Sequence, residues 1–256
     1  MASTALVTGC SSGIGYETAR ALLADGWHVY ATARDRDRDG LENLADRGAE
    51  LAALDLTEPA DIERVVARVR DEAGGVDCLI NNAGYGQFGP VEDVPTDRLE
   101  RQFAVHCFGP HRLIRAVLPD MRERGRGRIV NVTSAADRLA LAGIGGYTAS
   151  KWALASLSDG LRQELVGSDV EVGGRLINDP DDVAETILTA ATVPDPDTHY
   201  RVGPLPLLGS LYGTLVPATL RDQLTKLGIR LAASEPVLDV LERRTPETGA
   251  EPYPRR

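Results

Sequence analysis

A tyrosine and a lysine four residues apart, with a serine upstream, are the side chains best suited to acid–base chemistry. Tyr147 and Lys151 are separated by one helical turn, so the phenol and the ammonium share a helix face. A nearby cation stabilises a phenolate and lowers a tyrosine pKa from its usual value of about 10. Ser134 ends the strand-like run 128–133, where its hydroxyl could hold a substrate oxygen. We therefore expect Tyr147 to donate a proton near neutral pH.

A glycine-rich loop near the start of the chain indicates a phosphate site. The apolar run 5–7 leads into Thr8-Gly9-Cys10-Ser11-Ser12-Gly13-Ile14-Gly15, and a helical stretch follows. Glycines let the backbone approach a pyrophosphate, which then sits at a helix N-terminus. A second strand and the later sequence Asn81-Asn82-Ala83-Gly84 favour a dinucleotide site over an ordinary tight turn.

Apolar runs alternate with amphipathic stretches along the chain. Strands are predicted over 5–7, 27–32, 51–56, 78–80 and 128–133, and helices over 14–24, 61–69, 99–121 and 147–165. This alternation predicts the α/β class: a Rossmann-like, doubly wound parallel sheet of six or seven strands in a three-layer αβα domain. Ligands bind such sheets at the carboxyl ends of the strands. We expect one domain over 1–244 and a fraying polar tail over 245–256.

In this order and spacing, the chain resembles the short-chain dehydrogenase/reductase family from Ala5 to about Leu165. The resemblance rests on the glycine loop, Asn81-Asn82-Ala83-Gly84, Ser134, Tyr147 and Lys151. The runs TGCSSGIG, VYATARD and NNAGYGQFGP are most similar to the branch of estradiol 17-beta-dehydrogenase and the retinol dehydrogenases. The resemblance implies hydride transfer between a nicotinamide and a ketone or secondary alcohol. In that scheme Ser134 orients the carbonyl, Tyr147 exchanges the proton, and Lys151 tunes Tyr147 and binds the nicotinamide ribose.

The end of the second strand predicts NADP(H) in preference to NAD(H). An NAD enzyme places a carboxylate there, whereas this chain has Ala33-Arg34, and a guanidinium matches a 2′-phosphate. Arg34 could instead pair locally with Asp35 or Asp37. The resemblance places Asp55 at the adenine amino group with Leu56 beside it, although Asp55 could equally cap a strand end. The expected cofactor-binding residues are Gly9, Ser11, Ser12, Gly13, Ile14, Gly15, Arg34, Asp55, Leu56, Asn82, Ala83, Gly84, Tyr147 and Lys151.

The chain departs from the family pattern at two places. His106 stands where family members carry an asparagine that holds a water linking the lysine to solvent. Imidazole can hold water and titrates near pH ~6.5, so His106 is either a fourth catalytic residue or a packed helix histidine.

The second departure follows the sixth apolar run. After Val172 the chain soon reaches Asp181, which resembles a helix start that normally follows the substrate loop. We therefore expect that loop to be largely missing, with the leucine-rich segment 205–231 covering the pocket, forming a dimer contact, or touching a partner or membrane.

Composition argues against some classes of binding partner and indicates a cellular compartment. A net charge of −10 argues against a nucleic-acid partner. Cys10, Cys78 and Cys107 form no disulfide or metal pattern, which favours buried thiols in a reducing, cytoplasmic setting. We expect no signal peptide, no membrane span and no metal. Lysine occurs only at 151 and 226 among many arginines, which suggests a bacterial gene. Family analogy predicts a homodimer or homotetramer through the two long helices.

Two functions remain open at this point. The first is an NADP(H)-dependent oxidoreductase acting on a bulky apolar carbonyl or alcohol, which the serine, tyrosine and lysine favour. The second is a protein of the same fold with a lost or altered redox role, such as a non-redox cyclase, a dehydratase or a cofactor-binding partner subunit. His106 and the missing loop favour that alternative.

Overall fold

The computed structural model describes residues 2–35, 39–134, 142–173, 180–194, 196–197, 200, 217, 220 and 223. Within these ranges strands and helices alternate as predicted. The elements are β1 (Thr4–Thr8), α1 (Gly13–Ala24), β2 (His28–Ala33), α2 (Asp39–Asp46), β3 (Glu50–Ala53), α3 (Pro59–Ala73), β4 (Cys78–Asn81), α4 (Thr96–Phe103), a π-helical segment (Ala104–Phe108), α5 (Gly109–Glu123), β5 (Gly127–Asn131), α6 (Gly145–Glu164), β6 (Val170–Gly173) and α7 (Pro180–Thr192).

The described strands form one parallel, six-stranded sheet in the order β3-β2-β1-β4-β5-β6. Val7 of β1 pairs with Ala31 of β2 on one side and with Ile80 of β4 on the other. The direction of winding therefore reverses between β1 and β4, which is where ligands of such sheets bind. The predicted Rossmann-like, doubly wound parallel sheet is confirmed.

Alternating side chains of the central strand enter two separate cores. Ala5 and Val7 pack with apolar residues of α1, α2 and α7, such as Leu22 and Ile187. Leu6 lies on the opposite face and packs with residues of α3 and α5. Because successive side chains of a strand point to opposite faces, this pattern places helices on both sides of the sheet. The predicted three-layer αβα arrangement is confirmed.

Three details differ from the sequence-based expectation. Helix α2 was not predicted. The third strand ends at Ala53 rather than at 56, although the Leu54 N–H still donates to the Ala33 carbonyl at 2.9 Å. The helix expected over 99–121 runs from Thr96 to Glu123. Its two α-helical parts are joined by the π-helical segment Ala104–Phe108. His106, one of the predicted site residues, lies in this segment.

The predicted helix start near Asp181 agrees with the position of α7, whereas the missing substrate loop stays a prediction. β6 ends at Gly173 and α7 begins at Pro180. Residues 174–179 between them lie outside the described part of the chain. Helix α7 is fixed at its far end by Arg128, whose Nη1 donates to the carbonyls of Ala190 and Val193 at 2.8 Å each.

The chain divides into two compact units, Met1–Gly213 and Thr214–Arg256. The first unit holds every element named above. In the second, only Pro217, Leu220 and Gln223 are described, and the Leu220 N–H donates to the Pro217 carbonyl at 3.0 Å. The single domain over 1–244 therefore stays a prediction. The tail 245–256 and most of the segment 205–231 lie outside the described residues.

Candidate active site and cofactor cleft

A cleft with a volume of about 450 Å³ lies at the carboxyl ends of the central strands. It joins the loop after β1, the end of β2, the loops after β3 and β4, the end of β5 and the start of α6. The lining residues are Thr8, Gly9, Ser11, Ser12, Ile14, Thr32, Ala33, Arg34, Leu54, Asp55, Leu56, Asn82, Ala83, Gly84, Tyr85, Gly86, Phe88, Val105, Val132, Thr133, Tyr147 and Lys151. Most of the predicted site residues are therefore brought to one cavity.

The glycine loop is held against the loop after β4 by close backbone contact. Gly9 has a φ of 76°, and a Cβ there would lie 2.8 Å from the Ala83 Cα. A Cβ on Gly15 would lie 2.2 Å from the Gly9 carbonyl oxygen and 2.4 Å from Asn82 Nδ2. Gly13 and Gly15 do not line the cleft; Gly15 instead lets α1 approach the loop. Any larger residue at position 9 or 15 would therefore have to displace the backbone of the adjoining loop or the Asn82 side chain.

Thr8 joins these two loops by hydrogen bonds, a role that the sequence did not predict. Its Oγ1 accepts hydrogen bonds from the backbone N–H groups of Asn82 and Ala83 at 2.9 and 3.0 Å, and donates to the Ile80 carbonyl at 3.3 Å. Asn82 Nδ2 donates to the Thr8 carbonyl at 2.9 Å. The only sequence signal for this role is the position of a hydroxyl at the end of β1, directly before Gly9.

The N-terminus of α1 faces the cleft and carries no carboxylate in its own first turn. Ser12 is the N-cap residue, yet its side chain makes no capping hydrogen bond, and the first turn carries no acidic residue. The first-turn N–H groups and the positive end of the helix dipole therefore favour a bound anion. Ser11, Ser12 and Ile14 line this part of the cleft.

Arg34, directly after β2, and Asp55, after β3, line the part of the cleft on the β2 side of β1. Arg34 is exposed and directly follows β2. Asp37, which could have paired with it, lies outside the described residues. Asp55 Oδ1 accepts hydrogen bonds from the Thr57 backbone N–H at 2.9 Å and the Thr57 hydroxyl at 2.7 Å. This oxygen therefore caps the chain after β3, while the residue also borders the cleft. Leu56 is buried beside Gly109.

The catalytic candidates occupy the start of α6 and the end of β5. Lys151 is 5% exposed, and its Nζ donates to the Val132 carbonyl at 3.0 Å. The Tyr147 ring lies edge-on to the Phe88 ring, with centroids 5.9 Å apart. Ser134 lies three residues beyond β5 and is partly exposed; its neighbours Val132 and Thr133 line the cleft, but Ser134 itself does not. Tyr147 and Lys151 thus share the cavity with the glycine loop.

His106 lies beneath this end of the cleft and does not line it. It is 1% exposed, its Nε2 accepts the Tyr85 backbone N–H at 3.0 Å, and its Nδ1 lies 2.8 Å from Ser150 Oγ. Burial, aided by the positive charge of Lys151, lowers the pKa of His106 to about 3, against a smaller opposing effect of the Tyr85 contact. Both ring nitrogens are therefore engaged by protein groups.

Two aromatic residues of the loop after β4 border the catalytic end and were not singled out in the sequence. Phe88 is 57% exposed, and its ring covers Gly86, where a Cβ would lie 2.2 Å from Phe88 Cζ. Tyr85 packs edge-on against His106 with centroids 5.7 Å apart, and burial raises the pKa of its phenol. The sequence marks these two aromatic residues only by their position within four residues after Asn81-Asn82-Ala83-Gly84.

The three cysteines are free and buried. Burial raises the pKa of Cys10 and Cys78 to about 12 and also raises that of Cys107. Within the part of the chain that the structure describes, no cluster of histidine, cysteine or carboxylate groups is arranged to hold a metal ion. None of the helices there is both long and apolar enough to cross a bilayer.

Comparison with known proteins agrees with this geometry. The family model described as short chain dehydrogenase matches residues 3–175. The uncharacterised oxidoreductase YbbO of Escherichia coli K12 is 39% identical over 175 residues, which cover 67% of this chain and 64% of the relative. Mouse retinol dehydrogenase 5 is 35% identical over 170 residues, covering 65% of this chain and 53% of the relative. The chain thus matches less than two thirds of these two relatives' length.

Solved structures extend the similarity. A short-chain dehydrogenase from Streptomyces avermitilis superposes with a TM-score of 0.78 at 32% identity, covering 91% of this chain and 98% of that one. A metagenomic short-chain oxidoreductase in complex with NADP gives a TM-score of 0.73 at 32% identity, with coverages of 79% and 97%. With its parallel sheet, glycine loop and tyrosine–lysine pair in one cleft, the chain belongs to the short-chain dehydrogenase/reductase family.

Proposed function

We propose that the chain is an NADP(H)-dependent oxidoreductase that transfers hydride between the nicotinamide and a ketone or secondary alcohol with a bulky apolar body. One observation carries the proposal: a single cleft joins the glycine loop and Arg34 to Tyr147 and Lys151. The anion-binding and proton-transfer groups that such a reaction requires therefore share one cavity.

The lining residues fit a dinucleotide phosphate. The uncapped N-terminus of α1 with Ser11 and Ser12 offers donors to a pyrophosphate, and no first-turn carboxylate repels it. Arg34 follows Ala33 at the end of β2 and offers a guanidinium to a 2′-phosphate. Asp55 and Leu56 would border the adenine. The loop of Asn82, Ala83 and Gly84 would border the nicotinamide half.

The protein's part in the chemistry is placement and proton transfer. A bound nicotinamide supplies or accepts the hydride. Tyr147 would protonate the carbonyl oxygen in reduction, or take the proton from the alcohol in oxidation. Lys151, fixed by the Val132 carbonyl, would bind ribose hydroxyls and keep a positive charge one turn from the phenol. Ser134 would hold the substrate oxygen. The exposed rings of Tyr85 and Phe88 support an apolar substrate body at this end of the cleft.

We also propose that the chain works in a bacterial cytoplasm as a homodimer or homotetramer. Exposed apolar side chains lie on the helices that would pair: Phe108 in the π segment, and Trp152 and Leu157 on α6. If the two helices pair between copies of the chain, these side chains would be covered by the interface.

The decisive experiment is a titration with NADPH and NADH, followed by a panel of bulky apolar ketones monitored at the nicotinamide absorbance. We expect tighter binding of NADPH and turnover of at least one ketone. Tight NADPH binding with no turnover on any carbonyl or alcohol would instead support a member of the family with a lost or altered redox role. The short passage from β6 to α7 is the observation that favours this second function.

Changing Arg34 to alanine should weaken NADPH binding selectively. Loss of a charge-assisted contact to the 2′-phosphate is expected to cost roughly 1.5–3 kcal/mol, while NADH affinity changes little. Isothermal titration with both cofactors measures the difference. Arg70→Ala is the matched control, because it removes one positive charge from α3, where Arg70 pairs with Asp120 at 2.7 Å. Equal weakening of NADPH and NADH in Arg34→Ala would show that Arg34 has a structural role.

A further inference from the structure

The peptide groups of Tyr85 are held on both sides by one helical stretch. Its N–H donates to His106 Nε2 at 3.0 Å, and its carbonyl accepts a hydrogen bond from Gln102 Nε2 at 3.2 Å. Both side chains are buried, at 0% exposure for Gln102 and 1% for His106. The loop that follows Asn82-Ala83-Gly84 is thereby fixed at its first turn.

The same imidazole reaches the helix that carries Tyr147. Because Nε2 accepts from a backbone N–H, the ring proton lies on Nδ1, which donates to Ser150 Oγ at 2.8 Å. Ser150 Oγ in turn donates to the Tyr147 carbonyl at 2.7 Å. A continuous set of hydrogen bonds, with one donor and one acceptor at each step, therefore runs from the Tyr85 backbone to the Tyr147 backbone.

The local backbone is shaped for this ring. His106 lies at the centre of the π segment Ala104–Phe108, and such single-turn insertions commonly occur at functional sites. A Cβ on Gly84 would lie 3.0 Å from His106 Nε2 and 3.6 Å from Lys151 Nζ. The absence of a side chain at 84 thus lets the imidazole approach the loop and the lysine together.

We propose that His106 is a positioning residue that fixes Tyr147 relative to the nicotinamide-side loop, through Tyr85 on one side and Ser150 on the other. The inference rests on the proposed function for its effect on turnover, but the hydrogen-bonded link itself does not. The groups that face the ring are Tyr85 from the loop after β4, and Tyr147 and Lys151 from α6. Burial, followed by the Lys151 charge, lowers the pKa of His106 to about 3, so we expect the ring to stay neutral near neutral pH.

Nitrogen-15 NMR of the imidazoles tests the link without any turnover. The chain has four histidines, and the spectrum of His106→Gln identifies the signal of His106 by its loss. We expect a neutral ring protonated on Nδ1, with no titration between about pH 7.5 and about pH 5. The Tyr85 amide should be protected from hydrogen exchange in the unmodified protein and exchange faster in His106→Ala. A ring that titrates near pH ~6.5, or carries its proton on Nε2, would overturn the proposal.

Kinetics test the effect on Tyr147. His106→Ala and Ser150→Ala should each lower kcat on the order of 10-fold, because the phenol loses its fixed position, with little change in the NADPH dissociation constant. The double variant should be no slower than His106→Ala, because both changes break one link. His106→Gln, whose amide keeps a donor and an acceptor, should recover most of the activity with an unchanged kcat–pH profile.

Ser158→Ala is the matched control on the same helix. Ser158 Oγ donates to the Leu154 carbonyl at 2.7 Å and accepts from Asn131, so its loss should lower Tm without the drop in kcat. Unchanged kcat in His106→Ala, additive losses in the double variant, or loss of a pH limb in His106→Gln would each overturn the positioning role. If no variant, nor the unmodified protein, turns over a carbonyl while the NMR results hold, the proposed function fails and the link stands.

Discussion

Tyr147→Phe is expected to abolish turnover while NADPH binding survives. The substitution removes only the phenol oxygen, and loss of a positioned general acid lowers kcat by a factor of about 10²–10⁴. The ring itself is retained, with its edge contacts to Phe88 and to His106 at centroid distances of 5.9 and 5.7 Å. Steady-state kinetics on the ketone found in the panel, together with calorimetric titration of NADPH, measures both quantities.

Lys151→Met provides the contrast for this experiment. Its ammonium donates to the Val132 carbonyl at 3.0 Å and borders the same cleft, so its loss should reduce both turnover and cofactor affinity. A Tyr147→Phe protein that still turns over at more than a few per cent of the unmodified rate would place the acid elsewhere. Loss of NADPH binding in Tyr147→Phe would instead assign the hydroxyl a binding role.

Gly15→Ala is expected to damage both the fold and the cofactor site. The added methyl would lie 2.2 Å from the Gly9 carbonyl oxygen and 2.4 Å from Asn82 Nδ2, so α1 must move away from the loop after β4. Overpacking of this kind destabilises a protein by about 1–3 kcal/mol. If the Asn82 side chain moves instead of α1, its Nδ2 loses the 2.9 Å contact with the Thr8 carbonyl. Denaturant unfolding and NADPH titration should therefore both report a loss.

Gly160→Ala is the matched control, because it makes the same chemical change in a helix where there is room. A Cβ on Gly160, inside α6, meets no atom within 4 Å. Alanine in a helix interior is favoured over glycine by up to about 1 kcal/mol, so this variant should be as stable as the unmodified chain or more so. If Gly15→Ala matches Gly160→Ala in stability and NADPH affinity, the close packing of α1 on the loop is not what forms the site.

The main elements could be predicted because their signals are local. Apolar runs such as 5–7 and 78–80 are buried on both faces of the sheet, and the glycine spacing after the first run leaves few alternatives to a phosphate loop. Helix α2 escaped prediction because it is short and polar. Only Leu41 and Leu44, three residues apart, enter the core from it.

The finer roles could not be predicted because they depend on residues far apart in the chain. His106 was open between a proton relay and a packed side chain, and its partners Tyr85 and Ser150 are 21 and 44 positions away. Nothing in the apolar period over 99–121 marks a π segment. Asp55 was open between adenine binding and capping; the structure shows Oδ1 in a cap with Thr57 while the residue borders the cleft. The hydrogen-bonding role of Thr8 was not predicted, because a hydroxyl at a strand end has no distinctive pattern.

The buried thiols have a consequence for following this protein in solution. The thiolate is the reactive form of cysteine. Cys10, in the glycine loop, and Cys78, in β4, are fully buried, and burial raises their pKa to about 12. An alkylating reagent therefore reaches them only when the glycine loop or β4 opens. Any molecule that binds the closed form alone depletes the open population by mass action and slows the labelling. The labelling rate of Cys10, which lies in the glycine loop, therefore reports how much of the cleft is occupied. This measurement needs no substrate.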